Sequence, residues 1–300
     1  MSRIFKIKND LCLNVIQNKM KFFIISLLLI VVSIACLSIR GLNYGIDFKG
    51  GINLQIQTSG DADLADLRAK LKSAEIGDFS LQEFGAKDSV LIKMENLSSD
   101  SQGNEIIKKV KDALGPSVNY RNIENVGPKI GKELKEDSTI AVCLALAMIL
   151  LWIWIRFDWQ FGVCGVIALL HDCIAVLGFF AIFHNFEFNI AAVVAILTTA
   201  GYSINDSVVI FDRINENITL QKYNNLTDLI NGSISETLSR TLLTSVTTLI
   251  ALLCLCLFGG DVISSYATPM FVGIAIGTFS SIFVSAPLLT YTNVKIVREK

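Results

Sequence analysis

Six apolar runs, one long polar segment behind the first of them, and alternating strand-like and helix-like periods inside that segment predict a polytopic α-helical membrane protein with one small α+β domain. The 300-residue chain is 52% hydrophobic and 18% charged, with a mean hydropathy of +0.54, values of the membrane class. The runs are Phe22–Ile39, Thr139–Ile155, Phe161–Phe183, Ile190–Phe211, Leu242–Phe258 and Pro269–Tyr291. Each is long enough to cross an apolar layer of about 30 Å. The first is expected to stay as an anchor: it exceeds the apolar core of a signal peptide, and five more spans follow.

Lysine and arginine orient the spans. Arg3, Lys6, Lys8, Lys19 and Lys21 precede the first span, and Arg156 lies between the second and third. Arg213, Lys222 and Arg240 lie between the fourth and fifth, and Lys295, Arg298 and Lys300 follow the sixth. The connections 184–189 and 259–268 hold neither residue type. Both termini, 1–21 and 292–300, are expected in the cytoplasm, with residues 40–137 outside and the five-helix region 138–291 following them.

Within 40–137, Leu54 and Ile56 alternate with polar neighbours, the period of a half-buried strand. Leu64, Leu67 and Leu71 repeat at helical spacing behind an expected cap at Asp61. The strand-like pieces Phe79–Phe84 and Ser89–Met94 flank a turn at Gly85 and Asp88. Ile106, Ile107, Val110 and Leu114 mark a second helix, which Gly115-Pro116 ends, and Ser117–Val126 is the last strand. The order βαββαβ predicts a two-layer, ferredoxin-like domain. Gly127-Pro128 and the charged run Lys129–Asp137 read as the linker back to the membrane.

Several chemistries are disfavoured. A net charge of -1 gives no sign of nucleic-acid binding. The seven cysteines form no CxxC or Cys/His cluster, and Cys254 and Cys256 read as small apolar packers, so no metal is expected. Gly127–Glu133 resembles a phosphate loop but is one residue short and has Glu133 where a hydroxyl must reach Mg²⁺. The GxGD signature of intramembrane aspartyl proteases is missing around Asp206. No catalytic residue is assigned, and the chain is expected not to be an enzyme.

Asp206 is the most informative residue. It lies in an apolar span, where an ionisable side chain costs at least a few kcal/mol and usually marks an ion or proton path. Thr199, Tyr202, Ser203 and Asp206 recur at helical spacing, beside Asn205. Arg240 opens the fifth run from the same side, with Thr244, Thr247 and Thr248 above it. These two polar stripes are expected to bring Asp206 and Arg240 together, either as a proton-handling pair or as a structural ion pair with the threonines bonding their own helix. His171 and Asp172 sit deeper, in the third span, as relay members or packing groups. Gly45, Asp47, Phe48, Gly50 and Gly51 form a glycine-rich junction after the first span, where Asp47 is expected to satisfy turn amides. Gly273 and Gly277 read as a close-packing motif in the sixth span.

Five segments together resemble the SecF family of the bacterial protein-export apparatus: Tyr44–Gly51, Val126–Leu134, Leu169–Asp172, Gly201–Asn217 and Thr237–Ser245. The resemblance covers almost the whole chain in order. It implies an inner-membrane protein, half of an RND-type transporter, with residues 40–137 in the periplasm. It also implies SecD as partner, association with SecYEG and often YajC, an unfolded translocating polypeptide as cargo, and the proton-motive force as drive. No cofactor beyond the coupling proton is implied. In that family the acid and arginine matching Asp206 and Arg240 are required for proton passage. Asn215 departs from the pattern, since relatives commonly carry a cation there. Two other readings stand beside this one: an RND-type small-molecule exporter half, and a passive assembly subunit in which Asp206 and Arg240 staple helices.

Overall fold

A computed structural model describes residues 14–95, 100–292 and 294. Arg3, Lys6, Lys8, Cys12, Lys295, Arg298 and Lys300 lie outside the described residues. The chain divides into two compact units. One comprises residues 43–141 and 187–191, and the other comprises the remaining described residues.

The first unit is the α+β domain. After the helix α1 (Lys19–Arg40), its elements are α2 (Ile46–Lys49), β1 (Gly51–Thr58), α3 (Leu64–Ser73), β2 (Ser80–Phe84), β3 (Ala86–Glu95), α4 (Asp100–Leu114) and β4 (Val118–Val126). The four strands form one antiparallel sheet in the order β2-β3-β1-β4, the ferredoxin-like arrangement that the sequence predicts. The strand period places Ile52, Leu54 and Ile56 of β1 and Val90, Ile92 and Met94 of β3 in one core. Leu67 and Leu71 of α3 and Ile106, Val110 and Leu114 of α4 close that core. β4 is largely exposed, as suits an antiparallel sheet covered on one side.

Two local expectations change. The cap of α3 is Asp63, not Asp61: its Oδ1 accepts from the amides of Ala65 and Asp66 at 2.9 and 3.1 Å. The charged run after Gly127 is helix, not linker. Pro128 supplies a fixed φ and lacks only an amide that the first turn leaves unbonded anyway, so it opens α5 (Pro128–Arg156).

The second unit is helical. It contains α1 (Lys19–Arg40), the apolar part of α5, α6 (Trp159–Ile182), α7 (Ile190–Thr219), α8 (Leu226–Phe258) and α9 (Gly260–Ser280). The last span continues through a π turn at Ser281–Ser285 into α10 (Ala286–Leu288). Among the described residues, six helices are long and apolar enough to cross a membrane. α6, α7 and the last span are the inner helices, while α1, α5 and α8 expose most of their apolar side chains. α1 meets α6 where Gly178 leaves no room for a Cβ beside Ser33. The rings of Phe157, Phe161 and Phe211 pack at 5.2 to 5.9 Å.

α8 begins at Leu226, well ahead of the apolar run at Leu242. Asn225 caps it by accepting from the amide of Asp228 at 2.7 Å. Its first turns bury Leu229, Ile230, Ile234 and Leu238 and expose polar residues, so average hydropathy hides them. Arg240 therefore lies within a helix instead of opening one. Pro269 likewise lies inside α9. Pro287 cannot donate to the carbonyl four residues back. The helix widens into its π turn just ahead of it, a local form frequent at functional sites.

Candidate functional site

α7 carries Thr199, Ser203 and Asp206 on one buried face, because spacings of four and three residues return to the same side of a helix. Asp206 is 3% exposed. Its Oδ2 accepts from Ser245 Oγ of α8 at 3.2 Å, and Ser245 Oγ in turn accepts from Thr278 Oγ1 of α9 at 2.8 Å. The carboxylate meets a hydroxyl chain.

The expected contact with Arg240 is not made. Arg240 is exposed, and among the described residues no ion pair joins it to Asp206, although it remains within electrostatic reach. Helical geometry gives the reason. Five residues advance a helix about 140° beyond one full circle, so Ser245 faces inward while Arg240 faces out. Thr244 is also exposed, and its hydroxyl donates to the carbonyls of Arg240 and Thr241 at 3.1 and 2.9 Å. Thr247 bonds its own helix in the same way. Tyr202 reaches Thr248 at 2.8 Å, and Asn205 is exposed.

A second buried carboxylate lies nearby. Asp172 is 0% exposed and His171 is 6% exposed. Asp172 Oδ2 accepts from the hydroxyls of Ser203 and Ser280, the latter at 2.7 Å. Its Oδ1 lies 2.8 Å from His171 Nδ1. The glycine pair of α9 makes this possible. A Cβ at Gly273 would overlap Thr199, and one at Gly277 would stand 3.1 Å from Ser203 Cβ. The motif that reads as close packing thus admits the polar stripe of α7. Sequence reasoning missed Ser245, Thr278 and Ser280. The signal was available in Thr241 and Ser245 at i,i+4 and in the serines at 280, 281 and 285 within an apolar span.

At the far ends of α7 and α8, Glu236 accepts from Arg213 Nε at 2.5 Å, Asn217 Nδ2 at 3.0 Å and Tyr223 OH at 3.1 Å, and from Lys222. This hub gathers charges of the connection between the two helices.

The glycine-rich junction lies in the α+β unit. Asp47 caps a helix from outside it: its Oδ2 accepts from the amide of Ile190, the first residue of α7, at 3.1 Å. Gly45 and Asn43 exchange backbone bonds with Phe188 at 3.0 and 2.7 Å. The Phe48 and Phe188 rings lie 5.9 Å apart, and Lys93 pairs with Glu187. Gly50 has φ +78°, and a Cβ there would lie 2.9 Å from Pro128 Cα. At Gly51 a Cβ would lie 2.5 Å from the Met94 carbonyl oxygen. These glycines let the loop press against its neighbours while Asp47 reaches a separate segment.

The model of the family described as protein export membrane protein SecD/SecF, C-terminal, matches residues 106–295, well over half of the chain. The chain belongs to the SecD/SecF family. The SecD/SecF GG motif matches residues 37–62, the segment that holds the glycine-rich junction. "Protein translocase subunit SecF" of Rickettsia bellii is 43% identical over 268 residues, 88% of each chain. The subunit of the same name from Desulfurispirillum indicum is 40% identical over 275 residues, covering 89% of this chain and 87% of its own. A crystal structure of SecDF, a translocon-associated membrane protein from Thermus thermophilus, superposes with a TM-score of 0.80 at 35% identity. That match covers 94% of this chain and 39% of the SecDF chain, so the present chain spans well under half of that relative. SecDF in a super-membrane-facing form matches at a TM-score of 0.67 and 36% identity, over 93% of this chain and 38% of that one. The chain is therefore a multi-pass, SecF-type translocase subunit, a transport component built as half of an RND-type transporter.

Proposed function

We propose that this chain works with a SecD-type partner to couple the proton-motive force to the late stage of polypeptide export through SecYEG, with YajC as an associate. In this reading it sits in a bacterial inner membrane, with its termini in the cytoplasm and its α+β unit in the periplasm. One observation carries the proposal: Asp206 is buried on an apolar span and held by a hydroxyl. A lone carboxylate there is costly, and taking up a proton removes the cost. The outward stripe of Arg240, Thr244 and Thr247 supports the partnership. Arg240 is exposed just ahead of the apolar run that begins at Leu242, and a polar face on a second six-helix unit would cover this outward stripe.

Protonation neutralises Asp206 and releases it from the field of Arg240, so α7 and α8 repack. One charge crossing 100 mV supplies about 2.3 kcal/mol, enough to bias two helix arrangements. Movement of the α+β unit would then draw the emerging unfolded polypeptide outward. The test is co-purification of a SecD-type partner with the Asp206→Asn chain, paired with export in vesicles. An assembled complex without proton-stimulated export supports coupling. Loss of assembly instead supports the passive-staple reading, and full export refutes a coupling role for Asp206.

A further inference from the structure

The proposed coupling of Asp206 leaves the other buried carboxylate unused. We propose that Asp172 and His171 form a second proton-holding site in series with Asp206, reached across the hydroxyls of Ser203 and Ser280. This rests on the reading of Asp206 as proton-coupled.

Asp172 is completely buried, and among the described residues no lysine or arginine forms an ion pair with it. A carboxylate alone in such a place pays several kcal/mol of desolvation. Adding one proton to the pair removes the net charge, whether it rests on Asp172 as a neutral acid or on His171 as an imidazolium. The partners suit both states. Each serine hydroxyl donates to a carboxylate or accepts from a carboxylic acid, whereas backbone amides, which only donate, would fix the anion.

His171 supplies an entry point. Its Nδ1 lies on Asp172, while Nε2 is buried without a hydrogen-bond partner among the described residues. Buried ring nitrogens are normally satisfied, so this one is an exception that asks for a role. A proton that adds to Nε2 lets the Nδ1 proton pass to Asp172 Oδ1. The ring returns to neutral in its other tautomer, the site gains one proton, and no other bond changes.

The path toward Asp206 is built from two helices that each serve both carboxylates. On α7, Ser203 bonds Asp172 and precedes Asp206 by three residues, a rise of about 4.5 Å. On α9, Ser280 bonds Asp172, and Thr278 belongs to the hydroxyl chain ending on Asp206. Thr199, Ser207 and Thr241 add buried hydroxyls that have no partner among the described residues. Among the described residues, the titratable groups that face Asp172 are His171 and Cys173 on α6, and Asp206 follows Ser203 on α7. α1, α8 and α9 turn hydroxyls inward at Ser33, Ser245 and Ser280.

The test uses the assembled complex with its SecD-type partner in proteoliposomes. Proton flux is compared among wild type, Asp172→Asn and Asp206→Asn. The side-chain amide that Asp172→Asn introduces still accepts from both serines but holds no exchangeable acid proton, so flux should fall at least tenfold. Wild-type flux in Asp172→Asn, with flux abolished in Asp206→Asn, overturns the second site and leaves the proposed function standing. Wild-type flux in Asp206→Asn overturns both. A second measurement leaves Asp172 intact. The chain has two histidines, so ¹⁵N-histidine labelling of this chain alone, with His184→Gln, isolates the His171 resonances. Their proton occupancy should change with pH over the range where flux operates. If His171 keeps one tautomer and unchanged shifts throughout, the proposal fails, even if Asp172→Asn is inactive or does not assemble.

Discussion

Replacing Gly50 by alanine tests how the glycine-rich junction is held. Gly50 ends α2 with φ +78° and ψ +146°, a region that residues with a Cβ essentially do not occupy. That strain costs on the order of 1–3 kcal/mol. The added Cβ would also stand 2.9 Å from Pro128 Cα and 3.3 Å from the Val126 carbonyl oxygen. Both neighbours are backbone and cannot swing aside, so overpacking adds roughly another 1–3 kcal/mol. The expected loss is about 2–6 kcal/mol in the α+β unit. Amide hydrogen exchange of the full-length chain reads it at Ile52, Leu54 and Ile56, the fully buried residues of the central strand. A loss of about 2 kcal/mol accelerates exchange roughly thirtyfold. Gly60→Ala is the control, because a Cβ there meets nothing within 4 Å. If Gly50→Ala leaves β1 exchange within about threefold of wild type, the backbone constraint argued from the geometry is wrong.

Asp47→Ala removes the external cap from Ile190 and should cost about 1 kcal/mol, seen as faster exchange of the first amides of α7 and partly restored by Asn. Gly273→Val places methyls where Thr199 sits and should destabilise the helical unit by about 1–3 kcal/mol in detergent unfolding, with Gly277→Ala milder. Glu236→Gln weakens the shared acceptor of Arg213, Lys222 and Tyr223. Because these groups are partly exposed, the expected effect is about 1 kcal/mol or less, confined to faster exchange in residues 220–225.

Much of this architecture is legible in the chain because the bilayer and the strand pleat impose strong periods. Apolar runs give the six spans, and alternation at Leu54 and Ile56 gives the central strand. The legible signal fades where helices leave the apolar pattern. The start of α5 is charged and the start of α8 is amphipathic, so both read as connections, and Arg240 reads as a terminus when it is interior. The Asp61/Asp63 cap turns on which residue adopts an extended backbone, which composition cannot decide. Asp206 stands out because an acid in a span is rare. Its partner does not stand out, because Ser245 is an ordinary residue made important by the direction it faces. Asp47 shows the same limit: its target, the Ile190 amide, is 143 positions away.

In the proposed mechanism Asp206 carries the coupling proton. The most direct test is proton flux through the reconstituted complex with its SecD-type partner, driven by an imposed potential, with Asp206→Asn compared against wild type. The account predicts a normally assembled complex whose flux falls to the background of protein-free vesicles. Undiminished flux through an assembled Asp206→Asn complex would contradict it.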